Sequence, residues 1–141
     1  MQYHFFTNIN KNENKIFPCL QIPELIVSVE NYKDPIPEIE TSLNNFIEKS
    51  IIDQRVLGLP SGMFQESPYI ISAEVDSKLV FSFLLKNTKI QNNLSDETMA
   101  ELLNFDDIDR YQEFEMKSNP TLEEIKRVKE ILPLFPHFLL F

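Results

Sequence analysis

The pattern of apolar and polar residues gives three short strand-like runs at the start of the chain, and after them a helical period interrupted by one further strand-like run. Tyr3 to Thr7, Ile16 to Leu20 and Leu25 to Val29 are short β-prone runs, the first two joined by the polar turn-forming segment NINKNENK, which predicts a three-stranded meander. The period then changes: Ile39, Leu43, Phe46, Ile47 and Ile51 recur at helical spacing behind Pro35 and Pro37, predicting a helix from about Pro37 to Ile51. Gly58, Pro60, Gly62 and Pro68 break the chain. Tyr69, Ile71, Ala73 and Val75 then alternate with Ile70, Ser72, Glu74 and Asp76 as in a half-buried strand. The expected order of this half is βββαβ.

The second half reads as helices. KLVFSFLLK at 78–86 suits strand or helix by composition, but Asp76 or Ser77 can cap a helix there and further helical patterns follow, so a helix is expected. Between Leu94 and Phe114 the chain reads LSDETMAELLNFDDIDRYQEF. Ser95 is the expected N-cap, Met99, Leu102 and Leu103 the buried stripe, Asn104 the left-handed break and Asp106 the next cap, after which Ile108, Tyr111 and Phe114 face inward. This is the apolar spacing of a helix-turn-helix. Thr121 to Glu124 is a capping box, opening a helix whose stripe is Leu122, Ile125, Val128 and Leu132, ended by Pro133. The division falls near Asp76, giving an α+β protein with domains at 1–76 and 77–141.

Charge changes the picture of the helix pair. From Asp96 to Glu115 there are eight acids and one base, Arg110, a net of −7, whereas duplex DNA is held by Lys and Arg neutralising phosphates. The whole chain carries −9 over 141 residues, which disfavours nucleic acid and anionic membrane and favours a basic protein surface. With 43% hydrophobic residues it is long enough for one good core or two small ones. Cys19 is a single cysteine, which suits a reducing compartment, and no apolar run approaches the length of a membrane span; a cytoplasmic protein is expected.

Catalytic chemistry is sparse. Gly58 and Gly62 are the two glycines, too few for a phosphate-cradling loop, and His4, His137 and Cys19 lack the spacing of a zinc site. Cys19 lies in an apolar run, where packing is the expected role, and Asp106 and Asp107 at a helix start are expected as caps in preference to metal ligands. No enzyme, cofactor or metal is expected.

The opening YHFFTNINKNENKIFPCLQIPEL, the turn Gln21-Ile22-Pro23-Glu24, the segment Leu59-Pro60-Ser61, the register of LSDETMAELLNFDDIDRYQEF and the closing TLEEIKRVKEIL resemble, in that order, the HicB family of antitoxins with a C-terminal helix-turn-helix. The resemblance covers nearly the entire chain. It implies an N-terminal βββαβ domain of partial RNase-H-like fold without catalytic carboxylates, which docks onto a small basic HicA-like ribonuclease toxin and blocks its catalytic His, and an all-α helix-turn-helix domain that represses the operon. Residues 1–76 carry eleven acids and five bases, which favours a basic partner. Glu24, Glu30 and Asp34 are the toxin-facing candidates. The chain departs from the family in lacking the glycines of the first hairpin and of the turn after the third strand, and in placing Asp106, Asp107 and Asp109 where the recognition helix has basic and amide residues. Arg110, Gln112 and Lys117 are then the candidates for contact with operator DNA.

Phe138, Leu139, Leu140 and Phe141 close the chain after two prolines. Such a tail can cover the helix of Ile125, Val128 and Leu132, or pair as an extended strand with its own copy across a two-fold axis; the second is favoured, making these four the dimerisation candidates. Two readings from other classes stay open beside the antitoxin: a stand-alone helix-turn-helix transcriptional regulator, and an acidic inhibitor that mimics nucleic acid.

Overall fold

The computed structural model describes residues 1–7, 16–31, 33–60 and 67–140. The expected hairpin connection at 8–15, Ser61, Gly62 and Phe141 lie outside the described residues. The protein is mixed α and β, with strands β1 (Gln2–Phe6), β2 (Ile16–Pro18), β3 (Ile26–Ser28) and β4 (Ile70–Glu74), and helices α1 (Ile36–Ile52), α2 (Ser77–Gln91), α3 (Asp96–Leu102), α4 (Ile108–Glu115) and α5 (Leu122–Ile131). Two compact units form. Met1–Ile47 with Leu57–Val75 is the first, and Glu48–Val56 with Asp76–Phe141 the second, so α1 begins in one unit and ends in the other.

In the first unit β1 pairs antiparallel with β4 and β2 with β3. A bridge between Phe5 and Cys19 and a hydrogen bond from Leu20 N to the His4 carbonyl (2.9 Å) join the two pairs, giving the strand order β4-β1-β2-β3. The join is short because Pro18, on β2, has no N–H to donate to β1. Period-two alternation sets the faces: Tyr3, Phe5, Phe17, Cys19, Val27 and Ala73 are buried. Against this face lies the α1 stripe of Ile39, Leu43 and Ile47, also buried. Side chains of α1 finish the edge of β4, where Glu40 accepts from Glu74 N (3.1 Å) and Asn44 donates to the Glu74 carbonyl (3.3 Å). Tyr69, expected inside, is 52% exposed because β4 starts one residue later, and the buried side of that run is its Ala73–Val75 end.

The second unit is built from helix caps that the sequence marks clearly. Asp76 accepts from Lys78 N, Ser95 from Thr98 N, and Thr121 and Glu124 form the reciprocal capping box. Asn104 takes the left-handed conformation between α3 and α4 at φ 57°, as does Asn93 after α2 at 54°. The cap of α4 is Asp107, which accepts from Arg110 N at 2.8 Å, and not the expected Asp106: the helix starts at Ile108, so Asp107 is the residue just before it and stands three before the Arg110 amide, the last one without an intrahelical partner. Leu102 and Leu122 are 45% and 66% exposed. The buried residues of α3 are Met99 and Ala100, with Leu103 at its C-cap, while the α5 stripe starts a turn late at Ile125. Phe81, Phe105, Phe114, Phe135 and Tyr111 form the aromatic centre, with Phe81 edge-on to Phe114 at 5.5 Å between centroids and to Phe135 at 6.3 Å.

Tyr3 and Gly58 test the first core. The buried Tyr3 hydroxyl donates to the Gly58 carbonyl at 2.8 Å, and a Cβ on Gly58 would sit 2.2 Å from the Gln21 carbonyl oxygen. Gly58→Ala therefore forces backbone apart and should destabilise the protein by about 1–3 kcal/mol in urea unfolding. A midpoint equal to that of the unaltered protein would mean the segment is not held there.

Candidate functional site

Of the eight acids between Asp96 and Glu115, one is inside the protein. Glu115 is 3% exposed and Lys89, from the last turn of α2, is likewise 3% exposed. Lys89 Nζ lies 2.7 Å from Glu115 Oε2 and 2.5 Å from Asp96 Oδ1, so α2, α3 and α4 are held by one ammonium. Tyr111 donates its hydroxyl to Glu115 Oε2 (2.5 Å), its ring lies 5.7 Å from Lys89 Nζ, and Lys86 approaches Glu115 Oε1 at 3.5 Å. Gln112 closes the network by donating to Asp96 Oδ2 at 2.9 Å.

The ionisation of this network follows from its partners. Burial opposes charge on Lys89, but the hydrogen bonds and charges of Asp96 and Glu115 outweigh it and raise its pKa above the ordinary 10.5. Burial also opposes charge on Asp96, and the hydrogen bonds from Gln112 and Lys89 outweigh it and hold the carboxyl below its ordinary value. Burial and then the Glu115 charge push the Tyr111 hydroxyl up, so it stays a donor. Sequence reasoning counted Glu115 among the eight acids and did not single out Lys89. A signal was present: Ile108, Tyr111 and Glu115 share one helix face, so a carboxylate at that spacing sits on the apolar stripe and needs a buried cation.

The expected DNA-contact residues are placed on or beside α4 but largely engaged. Gln112 is tied to Asp96, and Lys117 binds Glu124 at 2.6 Å. Arg110 is exposed and lines a groove with Asp106, Glu113, Lys117 and Glu124, three acids against two bases. Asp106, Asp107, Asp109 and Glu113 are all exposed.

Among the toxin-facing candidates, Glu24 lies in the β2–β3 turn, and Glu30 and Asp34 in the link from β3 to α1. All three are exposed, but β3 separates the first from the other two. Glu38 organises that link by accepting from Glu30 N (2.9 Å) and Asn31 N (3.0 Å); these two backbone hydrogen bonds hold its carboxyl below the ordinary value. Cys19 is 4% exposed, and burial pushes its thiol up, the opposite of nucleophile activation.

The tail is not an extended strand. His137–Leu140 forms a single 3-10 turn against α2, with Leu139 N bonded to the Pro136 carbonyl (3.0 Å) and Phe135, 2% exposed, as its anchor. The fixed φ of proline suits a helical turn as well as an extended chain, and here the bond from Leu139 N back to the Pro136 carbonyl closes a turn where an extended strand was expected. Leu139 and Leu140 are half-buried, and Phe138 remains 65% exposed.

Among the described residues no group of three or more His, Cys, Asp or Glu is placed to hold a metal ion, and no helix is long and apolar enough to cross a membrane. No family model and no curated protein matches the chain.

The network generates a stability profile. The carboxyl of Asp96, depressed in the folded state, contributes stability that is present above its unfolded value and lost as pH falls through the folded one. Lys89, raised, contributes stability present below its ordinary value and lost as pH rises through the folded one. Thermal unfolding should give a plateau across neutral pH with a fall on each side. Lys89→Met, leaving Glu115 and Asp96 without their ammonium, should cost about 3 kcal/mol at neutral pH and remove the alkaline fall; an unchanged alkaline limb would show that Lys89 does not govern it.

Proposed function

We propose that this protein is an antitoxin of the HicB kind, in which the N-terminal βββαβ unit, read as a partial RNase-H-like fold, occludes a small basic ribonuclease. What carries the reading is where the charge sits. Glu24, Glu30 and Asp34 are exposed on the first unit and Asp106, Asp107 and Asp109 on the second, so acidic side chains face water on both units, while the buried Glu115 is answered internally. Such a surface attracts a basic protein over a Debye length and repels phosphates.

In this reading α3 and α4 are a helix-turn-helix kept as scaffold. Recognition of a duplex needs donors on the helix surface, yet Gln112 and Lys117 are already bound to Asp96 and Glu124. Assembly would rest on the tail, where Leu134, 83% exposed, and Phe138 remain available to a second copy.

Two measurements test this. Co-expression with each reading frame that flanks the gene should yield a stable complex with a small basic product whose ribonuclease activity falls on binding; a flanking ribonuclease left fully active would overturn the antitoxin reading. The unaltered protein should show no specific operator complex at physiological salt. Asp106→Lys with Asp109→Lys, which spares the Asp107 cap, should raise non-specific DNA affinity and steepen the slope of log affinity against log salt by about 2 if both lysines reach phosphates. A nanomolar operator complex of the unaltered protein would favour the regulator instead.

A further inference from the structure

The solvent-facing side of the first unit's sheet is divided into a polar part and an apolar one. Register sets Phe6 beside Ile70 and Ile26 beside Pro18, and the Phe5–Cys19 bridge sets Phe6 beside Pro18. Each of the four strands thus contributes one apolar residue to a single row, Ile26–Pro18–Phe6–Ile70, with Ile16 adjoining it two residues before Pro18. Phe6, Ile16 and Ile26 are 45%, 48% and 59% exposed. Nearer the start of β1 the same face carries polar pairs, with His4 Nδ1 3.0 Å from Ser72 Oγ and Gln2 donating to Glu74 at 3.1 Å. Those pairs are what an antiparallel sheet presents to water, and the row is not. An apolar patch with polar residues at its border is the mark of an interaction site.

Charge selects the occupant. Glu24 lies two residues before Ile26 in the β2–β3 turn and Glu30 two residues past the end of β3, so the β3 end of the row lies between two acids, while Glu74 stands at the end of β4 away from Ile70. Among its described residues the unit has six acids against one base, Lys33. A second copy would bring these acids against their own equivalents across a two-fold axis. A basic partner would pair with them around an apolar centre. We infer that the Ile26–Pro18–Phe6–Ile70 row is the docking surface for a basic protein that presents an apolar patch of its own. This rests on the antitoxin reading and names its surface.

The test uses the full chain with Phe6→Ser and Ile26→Ser combined, both at exposed positions, and Leu134→Ser as a control in the other unit. Calorimetric titration is made with two probes: the basic product of a flanking reading frame, and a synthetic peptide of alternating leucine and lysine. For both probes the double variant should bind at least about tenfold more weakly and Leu134→Ser unchanged, with affinity falling as salt rises. A flanking product that binds both forms equally overturns the docking face and leaves the antitoxin reading standing. Peptide bound through the row, with no flanking product bound, does the reverse. Neither probe bound overturns both, and self-association of the unaltered chain that the double variant abolishes overturns the basic partner in favour of a second copy.

Discussion

One ammonium holds three helices. Lys89 sits where α2, α3 and α4 meet, with two carboxylates within 2.7 Å and the Tyr111 ring beside it. An isolated charge at 3% exposure is untenable, and its two partners would be no better placed without it. Apolar residues of similar volume would fill the same space without the desolvation cost, so the network's contribution is geometric: α3 is short, with Met99 and Ala100 as its buried residues, and the Asp96–Lys89 contact at its first turn fixes where it starts. The aromatic centre of Phe81, Phe105 and Phe114 packs beside helices whose ends the ion network has already placed.

That same network changes what the acidity of α3 and α4 means. Read as a string, residues 96–115 are a net of −7 with a lone arginine. In the folded unit Lys89 and Lys86, from outside that string, lie against Glu115, and Lys89 also binds Asp96. What faces water is narrower and lies at the α3–α4 turn and the start of α4, where Asp106, Asp107 and Asp109 cluster. Negative charge at a helix N-terminus is favourable to the helix dipole, so these residues stabilise α4 while closing it to phosphate. Stabilisation of α4 and repulsion of phosphate thus come from the same side chains.

Local rules made most of the fold legible. Caps at Asp76, Ser95 and Thr121, the left-handed Asn104, and the change of period at α1 each depend on residues within a few positions, and the elements form where those signals lie. Where the reading slipped, the cause was tertiary or a register of one. Asp106 and Asp107 are equally good caps in isolation, and the start of α4 at Ile108 decides between them. Leu102 and Leu122 have the right spacing but stand where their helices leave the core. Lys89 with Glu115 joins residues 26 apart, beyond any local pattern, although the helical face of Glu115 carried a trace of it. Hydrophobicity says that the tail must be buried and not in what shape; the bond from Leu139 N to the Pro136 carbonyl and the anchor Phe135 hold it as a 3-10 turn.

The open row on the sheet was hidden for a related reason. Phe6, Pro18, Ile26 and Ile70 are far apart in sequence, and each looks like the unremarkable outward residue of a short strand. Exposed apolar residues one at a time carry no information. Register makes them a patch, because antiparallel pairing sets Phe6 against Ile70 on one side and against Pro18 on the other. Pro18 contributes twice: it shortens the β1–β2 ladder by withholding a donor, and its ring continues the apolar row across the gap so formed. A sheet so small has little surplus pairing to lose, and retaining proline and three exposed large side chains there is costly unless something covers them. Charge at the β3 end of the row then restricts what such a cover would be, since an occupant there would lie near Glu24 and Glu30 and must not add to their repulsion.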